Sequence, residues 1–521
     1  MTVTLPEPRV FPDLQRSPIF VFKGLRDLLS YPQPELTQEH AVVMSNIDLS
    51  EQKLARRRSG YAKYNSSQIS GSPALTGFTQ RDIGTYGLKN VYTTTTKIFA
   101  DDGSTRTDLT GSITLNAGAE ARHRFAYLDS TLIAVNGTNR IWTWSGNTGA
   151  SAAALTTSPV AITTCEDIIV HKNVLLYVAP TVSSVKYPTR IYWCDVNTDT
   201  FGVDIDRILT NSRFEIDAGG TDIIGAASAW EKVFIFKQDG VYIGEVVYHV
   251  GALEYTPLST MKGFSPVSKT SIIVRPEFIF GIATEGAFVI TPDMQYKVVT
   301  RDIDFHVKFN LARLQYSVAT VREKDHQVRV LMSSTNNSTG HDLVLVWDWE
   351  TGEIQIESYT DKLNVIGTFS VSNFELDFLG SYSTGYVYKG NTGKTDDGDN
   401  YDYTYETAPN DLGSPGVSKI IKTVILYYKN TGSLTTLTCQ LKRDQGTRGT
   451  KSKTFSIGTD YVYDGGFSYD SGIAFPSSVA NKVLFPINRT VENLSLVFTG
   501  SNSAELVGYQ VEYSISGQGV Q

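Results

Sequence analysis

The chain has 521 residues, long for a single domain, so two or three domains are expected. Its 46 Lys and Arg against 54 Asp and Glu leave a net charge of −8. That balance excludes a protein that grips nucleic acid by clustered positive charge, though not a surface past which DNA slides.

Residues 1–40 hold six prolines and one compact apolar piece, IFVFKGLRDLL from Ile19 to Leu29. An extended arm that packs on another surface is the simplest reading. Ala41 to Asn65 reads as a strand, a polar turn and a second strand carrying Arg56, Arg57, Arg58 and Gly60. The three arginines are either a solvated strand end or a contact with an acidic partner surface or DNA phosphate.

From there a hairpin recurs. In FAYLDSTLIAVNGTNRIWTWSG, Tyr127, Leu132, Ala134, Ile141 and Thr143 alternate with residues that can face the other way, and Asn136-Gly137 lies between the two runs. Period-two alternation is the mark of a strand with unlike faces, and Asn-Gly supplies the positive φ of a tight hairpin turn. Similar units begin at Val91, Val174, Val233, Phe278, Val328 and Leu376; counted from Leu132 the gaps are 42, 59, 45, 50 and 48 residues. A hairpin returning every 40–50 residues or so has the spacing of propeller blades. Helical periodicity is nearly absent. Blades that close radially bury both faces of each sheet and leave only short edges.

After Tyr388 the run KGNTGKTDDGDNYDYTYET and then PNDLGSPG mark a composition shift, with a boundary near 411. Beyond Ser418, five or more strands follow without blade spacing, as in a small β-sandwich. The expected architecture is all-β: an extended arm and hairpin (1–75), a β-propeller of six or seven hairpin modules (76–410) and a C-terminal β-sandwich (411–521).

Chemical motifs are missing. Three cysteines, Cys165, Cys194 and Cys439, are too few and scattered for a disulfide framework or a CxxC metal site. The seven histidines lack ligand spacing and read as surface or satisfied core residues. No nucleophile elbow, phosphate loop or dinucleotide fingerprint occurs. Asp396, Asp397, Asp399 and Asp402 lack the ordered ligand ladder of a calcium loop and read as a solvated acidic loop. Trp142, Trp144, Trp193, Trp230, Trp347 and Trp349 could stack on sugars, but packing blade against blade is the expected use for most. The start MTVTLPEPRV shows no leader pattern and no apolar run nears the roughly 20 residues of a membrane span. A soluble, non-enzymatic protein without metal or cofactor, made in a reducing cytoplasm, is expected.

Several phrases in order resemble the tail nozzle (packaged-DNA stabilisation) proteins of short-tailed bacteriophages. They are SNIDLSEQKLARRRSGYAKYN, HRFAYLDSTLIAVNGTNRIWTW, PTRIYWCDVNTDTF, IIGAASAWEKVFIFKQDGVYIGEV, GFSPVSKTSIIVRPEFIFGIATEGAFVI and NKVLFPINRTVENLSLVFTGSNSAELVGYQVEYS. The resemblance implies a virion tail protein that forms a ring, usually six-fold, below the portal and adaptor rings. Its partners would be itself, the adaptor or portal ring, tail fibres or spikes, and double-stranded DNA passing through without sequence specificity. It implies no catalytic residues, and it would make Arg56, Arg57 and Arg58 a partner contact. A carbohydrate-binding or glycan-cleaving propeller is the competing class. It requires convergent carboxylates or an arginine cluster at one propeller mouth. A cytoplasmic scaffold propeller is a third reading, opposed by the lack of WD dipeptides at blade ends.

Overall fold

The computed structural model describes residues 14–27, 39–49, 54–82, 86–196, 203–217, 220–249, 252–371, 374–429, 435–443, 451–457, 481–500 and 505–515. The chain divides into two compact units. One comprises residues 60–352 and 358–398, the other residues 1–59, 353–357 and 399–521.

The first unit is a β-propeller. Five of its sheets are antiparallel and built on four strands in sequence order, beginning at Leu75–Asp82, Arg124–Leu128, Ile162–His171, Ile223–Ala229 and Ile273–Val274. The next sheet has seven strands, from Val318–Arg322 through Gln327–Met332, His341–Asp348, Ile354–Val371, Phe374–Ser381 and Val387–Gly390 to Tyr61–Lys63. In the 18-residue strand Ile354–Val371, the stretch from Leu363 on pairs with Phe374–Ser381. Its earlier half is left for His341–Asp348. One strand therefore ends the sixth blade and begins the seventh, so the described residues form seven blades.

The blades close into a ring through their first strands. The His123 N–H donates to the Thr76 carbonyl (2.8 Å) between blades 1 and 2, and Thr320 Oγ1 meets Thr368 Oγ1 (3.0 Å) between blades 6 and 7. First strands of blades 2 to 6 lie against one another in order, and Phe374–Ser381 of blade 7 packs on Leu75–Asp82 of blade 1. The seventh blade takes its outer strand from far upstream: Lys63, Ala62 and Tyr61 pair with Tyr388, Lys389 and Gly390. That strand fits closely at Gly60, where a Cβ would stand 2.0 Å from the Thr395 carbonyl oxygen. Residues 60–63 thus belong to the propeller, and the N-terminal hairpin expected over 41–65 does not form as one piece.

All seven unit starts read from the sequence fall in or one residue ahead of the second strand of a blade. The physical reason is coverage. Second strands such as Val174–Val182, Lys232–Lys237, Ile279–Ala283 and Gln327–Met332 are buried along most of their length. Sheets covered on both faces carry near-continuous apolar runs. Core clusters accordingly lie between blades, one joining blades 2 to 4 and another joining blades 1, 6 and 7. Trp142 and Trp144 are fully buried in the cluster between blades 1 and 2, and Trp193 and Trp347 are buried too, while Trp230 and Trp349 are partly exposed.

The tight turn of the opening hairpin is not where Asn-Gly suggested. Leu128 pairs with Thr131 across Asp129-Ser130, both at positive φ (45° and 60°). Lys172-Asn173 and Trp230-Glu231 repeat this two-residue turn in blades 3 and 4. Asn136-Gly137 opens a longer loop, in which Asn136 Oδ1 accepts the N–H groups of Thr138 and Asn139.

The second unit is a β-sandwich assembled from both parts of the chain. One sheet runs Ile47–Asp48, Ala55–Arg57, Glu505–Ile515, Lys419–Lys429, Asn481–Val491, with Gln15–Arg16 also on Glu505–Ile515. The other runs Ala41–Ser45, Tyr403–Thr407, Leu494–Gly500, Thr435–Arg443, Lys451–Ile457. Phe22 lies between them, its ring 4.8 Å from Tyr405, 5.7 Å from Phe498 and 5.8 Å from Tyr509. The described part of the expected arm therefore packs into this unit's own core. The sandwich is not confined to 411–521: Tyr403–Thr407 and strands before residue 58 complete it.

Candidate functional site

The arginine strand sits in the sandwich unit. Arg57 and Arg58 are buried (5% and 3% exposed), with guanidiniums 3.7 and 3.9 Å from the centroid of the Tyr401 ring. Arg58 Nε donates to Asn46 Oδ1 (3.0 Å), and the Tyr401 hydroxyl donates to the Arg58 carbonyl. Burying a guanidinium is tolerable only with partners of this kind. Arg56 is partly exposed and pairs with Asp48 (2.9 Å). For Arg57 and Arg58 the reading as a solvated strand end is corrected: both are buried, and they hold Tyr401 and the Asn46 turn.

In the propeller, charge gathers at the centre. Arg124 of blade 2 binds Asp167 of blade 3 (3.0 Å), and the other Asp167 oxygen accepts the Ala226 N–H of blade 4 (3.0 Å). Arg124 Nη1 also donates to the Ile272 carbonyl, at the start of blade 5 (3.4 Å). One ion pair thus ties four consecutive blades together through their first strands. Asp167 is fully buried, so the pair is shielded from solvent screening.

Beside it lies a cavity of about 370 Å³, bounded by the segments that lead into blades 2, 5 and 6, the loop after Val135, and the first strands of blades 3 and 4. Two carboxylates line it, each bridged by two cations. Glu120 binds Arg122 (2.9 Å) and Arg313 (2.8 Å); Glu166 binds Lys186 (2.6 Å) and Lys269 (3.2 Å). Burial works to raise Glu166, but Lys269 and Lys186 outweigh it and hold the carboxyl below its usual range. The two lysines thus favour the charged form of Glu166, which accepts hydrogen bonds.

Arg122 is almost wholly buried and its donors are taken up by Glu120, the Asn364 carbonyl and side chain, and His341. Burial lowers it to about 10. Burial, then the nearby Arg122 charge, pushes His341 well below the ordinary histidine value, and burial takes His123 down to about 3. Both imidazoles are neutral. His123 Nδ1 lies 3.1 Å from Thr76 Oγ1 and 3.0 Å from Thr93 Oγ1, while its buried Nε2 has no hydrogen-bond partner among the described residues.

Sequence reasoning missed Glu120, Arg122, Arg124, Glu166 and Asp167. The available signal was Glu166-Asp167 inside the strand ITTCEDIIVH, since two carboxylates amid buried apolar residues require cationic or N–H partners. Among the described residues no group of three or more His, Cys, Asp or Glu side chains is placed to hold a metal ion. Of the acidic run, Asp397 pairs with Lys63 (3.0 Å) and Asp396 is buried. The three cysteines are free and buried. No described helix is long and apolar enough to cross a membrane.

No family model and no curated protein matches the chain. Among solved structures it is similar to the Pan2 WD40 domain of Neurospora crassa, at 10% identity and a TM-score of 0.39, over 65% of this chain and 96% of that one.

Proposed function

We propose that this chain is a structural tail protein of a short-tailed bacteriophage. Copies of it form a nozzle ring, six-fold in symmetry, below the portal and adaptor rings, which retains packaged DNA and conducts it during ejection. Support comes first from the ordered phrases that resemble this family, which fall in blades 2 to 5, in the closing strands of the sandwich and, for the first phrase, in the upstream sandwich strands and the outer strand of blade 7. The observation that best supports the reading is the Arg124–Asp167 pair, a matched charge pair that ties four consecutive blades together. Such a tie suits a rigid building block.

In this reading the channel that carries double-stranded DNA lies between copies of the chain. A ring closed by one kind of chain needs heterologous contacts, in which two different patches meet around the axis. The overall charge of −8 suits a lumen that leaves DNA free to move, because few cations replace counterions at phosphates. Tail fibres or spikes and the adaptor ring are the further partners of this reading.

Mass photometry of the purified chain tests it. A species of six chains, in equilibrium with the monomer or stable alone, is expected. A monomer at all concentrations, both free and in the presence of phage heads lacking tails, counts against it.

A further inference from the structure

The cavity beside the Arg124–Asp167 pair has chemistry that the ring does not require, and we infer that it is a binding site for a neutral saccharide unit. Its volume, about 370 Å³, lies within the roughly 300–1,000 Å³ of small-molecule sites. The hydrogen-bonding capacity left over inside it decides the ligand class. Glu120 and Glu166 each engage two cations, one at each oxygen, which leaves a lone pair on every oxygen for a further donor. Lys269 directs two bonds to Glu166, at 2.7 and 3.2 Å, and has a third N–H to give. Gln315, Thr138 and Tyr316 line the same space, with no side-chain hydrogen bond to another described residue.

This mixture is acceptor-rich but already neutralised. A metal cation would have to displace Lys or Arg from both carboxylates. An anion would face those two carboxylates, while Arg122, its natural partner, has no donor to spare. An apolar molecule would strip water from six polar side chains without replacing their bonds. A polyol avoids all three difficulties: its hydroxyls donate to Glu120 and Glu166, accept from Lys269, and do both with Gln315 and Thr138. Tyr316 adds a phenolic hydroxyl to the same set, while its ring already carries the Arg122 and Arg313 guanidiniums, 5.4 and 5.1 Å from its centroid.

The inference does not rest on the ring reading, and the two fail separately, since binding is read on the isolated full-length chain. Saturation-transfer NMR and calorimetry would use glucose, galactose and N-acetylglucosamine, with glucuronate and inorganic phosphate as charged probes. At least one neutral sugar is expected to bind, with affinity falling about tenfold or more, about 1.4 kcal/mol, in Gln315→Ala and in Tyr316→Phe. Both positions are partly or fully exposed, so the variants are expected to fold, which melting curves would verify. Three results would overturn the inference: no neutral sugar binds, binding is unchanged in both folded variants, or phosphate or glucuronate binds more tightly than every neutral sugar.

Discussion

Arg56, Arg57 and Arg58 are consecutive, yet their energetic roles differ by several-fold because only the last two are buried. Removing Arg58 leaves Asn46 without its donor and strips one guanidinium from the Tyr401 ring. Arg58→Ala is expected to cost about 2–4 kcal/mol. Arg56→Ala removes a partly exposed pair with Asp48 and should cost less than about 1 kcal/mol. Urea denaturation of the two variants measures the contrast; equal small effects would return Arg58 to the surface. Run-length alone could not separate them, since RRR has no internal mark of which side chain turns inward. Phe22 is a parallel case. Its piece, IFVF, reads as apolar in the sequence, but its partners Tyr405, Phe498 and Tyr509 lie hundreds of residues away, and no local pattern names them.

Residue chemistry also sets a pH dependence. His123 and His341 are neutral when folded, with values pushed below the unfolded one of about 6.5. Above that pH neither state binds the proton and their contribution to stability is complete. As pH falls below it, the unfolded chain takes up protons that the folded chain refuses. Stability then drops by up to about 1.4 kcal/mol per pH unit for each histidine, until the folded value is reached. Denaturation midpoints at pH 7, 6 and 5 should decline, and His123→Asn should flatten that decline by about one proton. A slope unchanged in this variant would mean that His123 does not titrate on unfolding.

At the scale of the element, the blades divide into parts that the sequence displays and parts that it conceals. Second strands are covered on both faces and so stand out as apolar runs, which is why their recurrence located all seven. Turns were less legible. Asp129-Ser130 and Trp230-Glu231 adopt positive φ because the two-residue connection demands it, although neither pair is a favoured turn sequence. Between blades 6 and 7, Arg329 and Asp377 form a buried pair at 2.8 Å. Asp377→Ala is expected to cost about 3–5 kcal/mol, and adding Arg329→Met should recover much of it. Additive losses in that double-mutant cycle would show that the pair does not couple the strands. Tyr61–Lys63 as the last outer strand had no local signal, since three residues carry no period.

For the whole molecule, the sequence places a boundary near 411, whereas the change of unit falls at 398–399. What stayed hidden was the return of upstream strands: residues 41–57 to the sandwich and 61–63 to the propeller. Pairing across more than 300 residues leaves no periodic trace in a single sequence. It makes fragment boundaries decisive. Residues 60–398 include the closing strand and should fold cooperatively. Residues 76–398 lack it and expose the edge of Val387–Gly390, so they should melt lower or aggregate. Matching melting curves for the two fragments would show that Tyr61–Lys63 does not close the seventh blade.

The ring itself is tested most directly by electron-microscopic reconstruction of tailed particles without imposed symmetry. The account predicts six copies of this chain around the DNA path below the portal and adaptor, each with a seven-bladed propeller. A tail that lacks the chain, or holds it as single copies away from the DNA path, would contradict it.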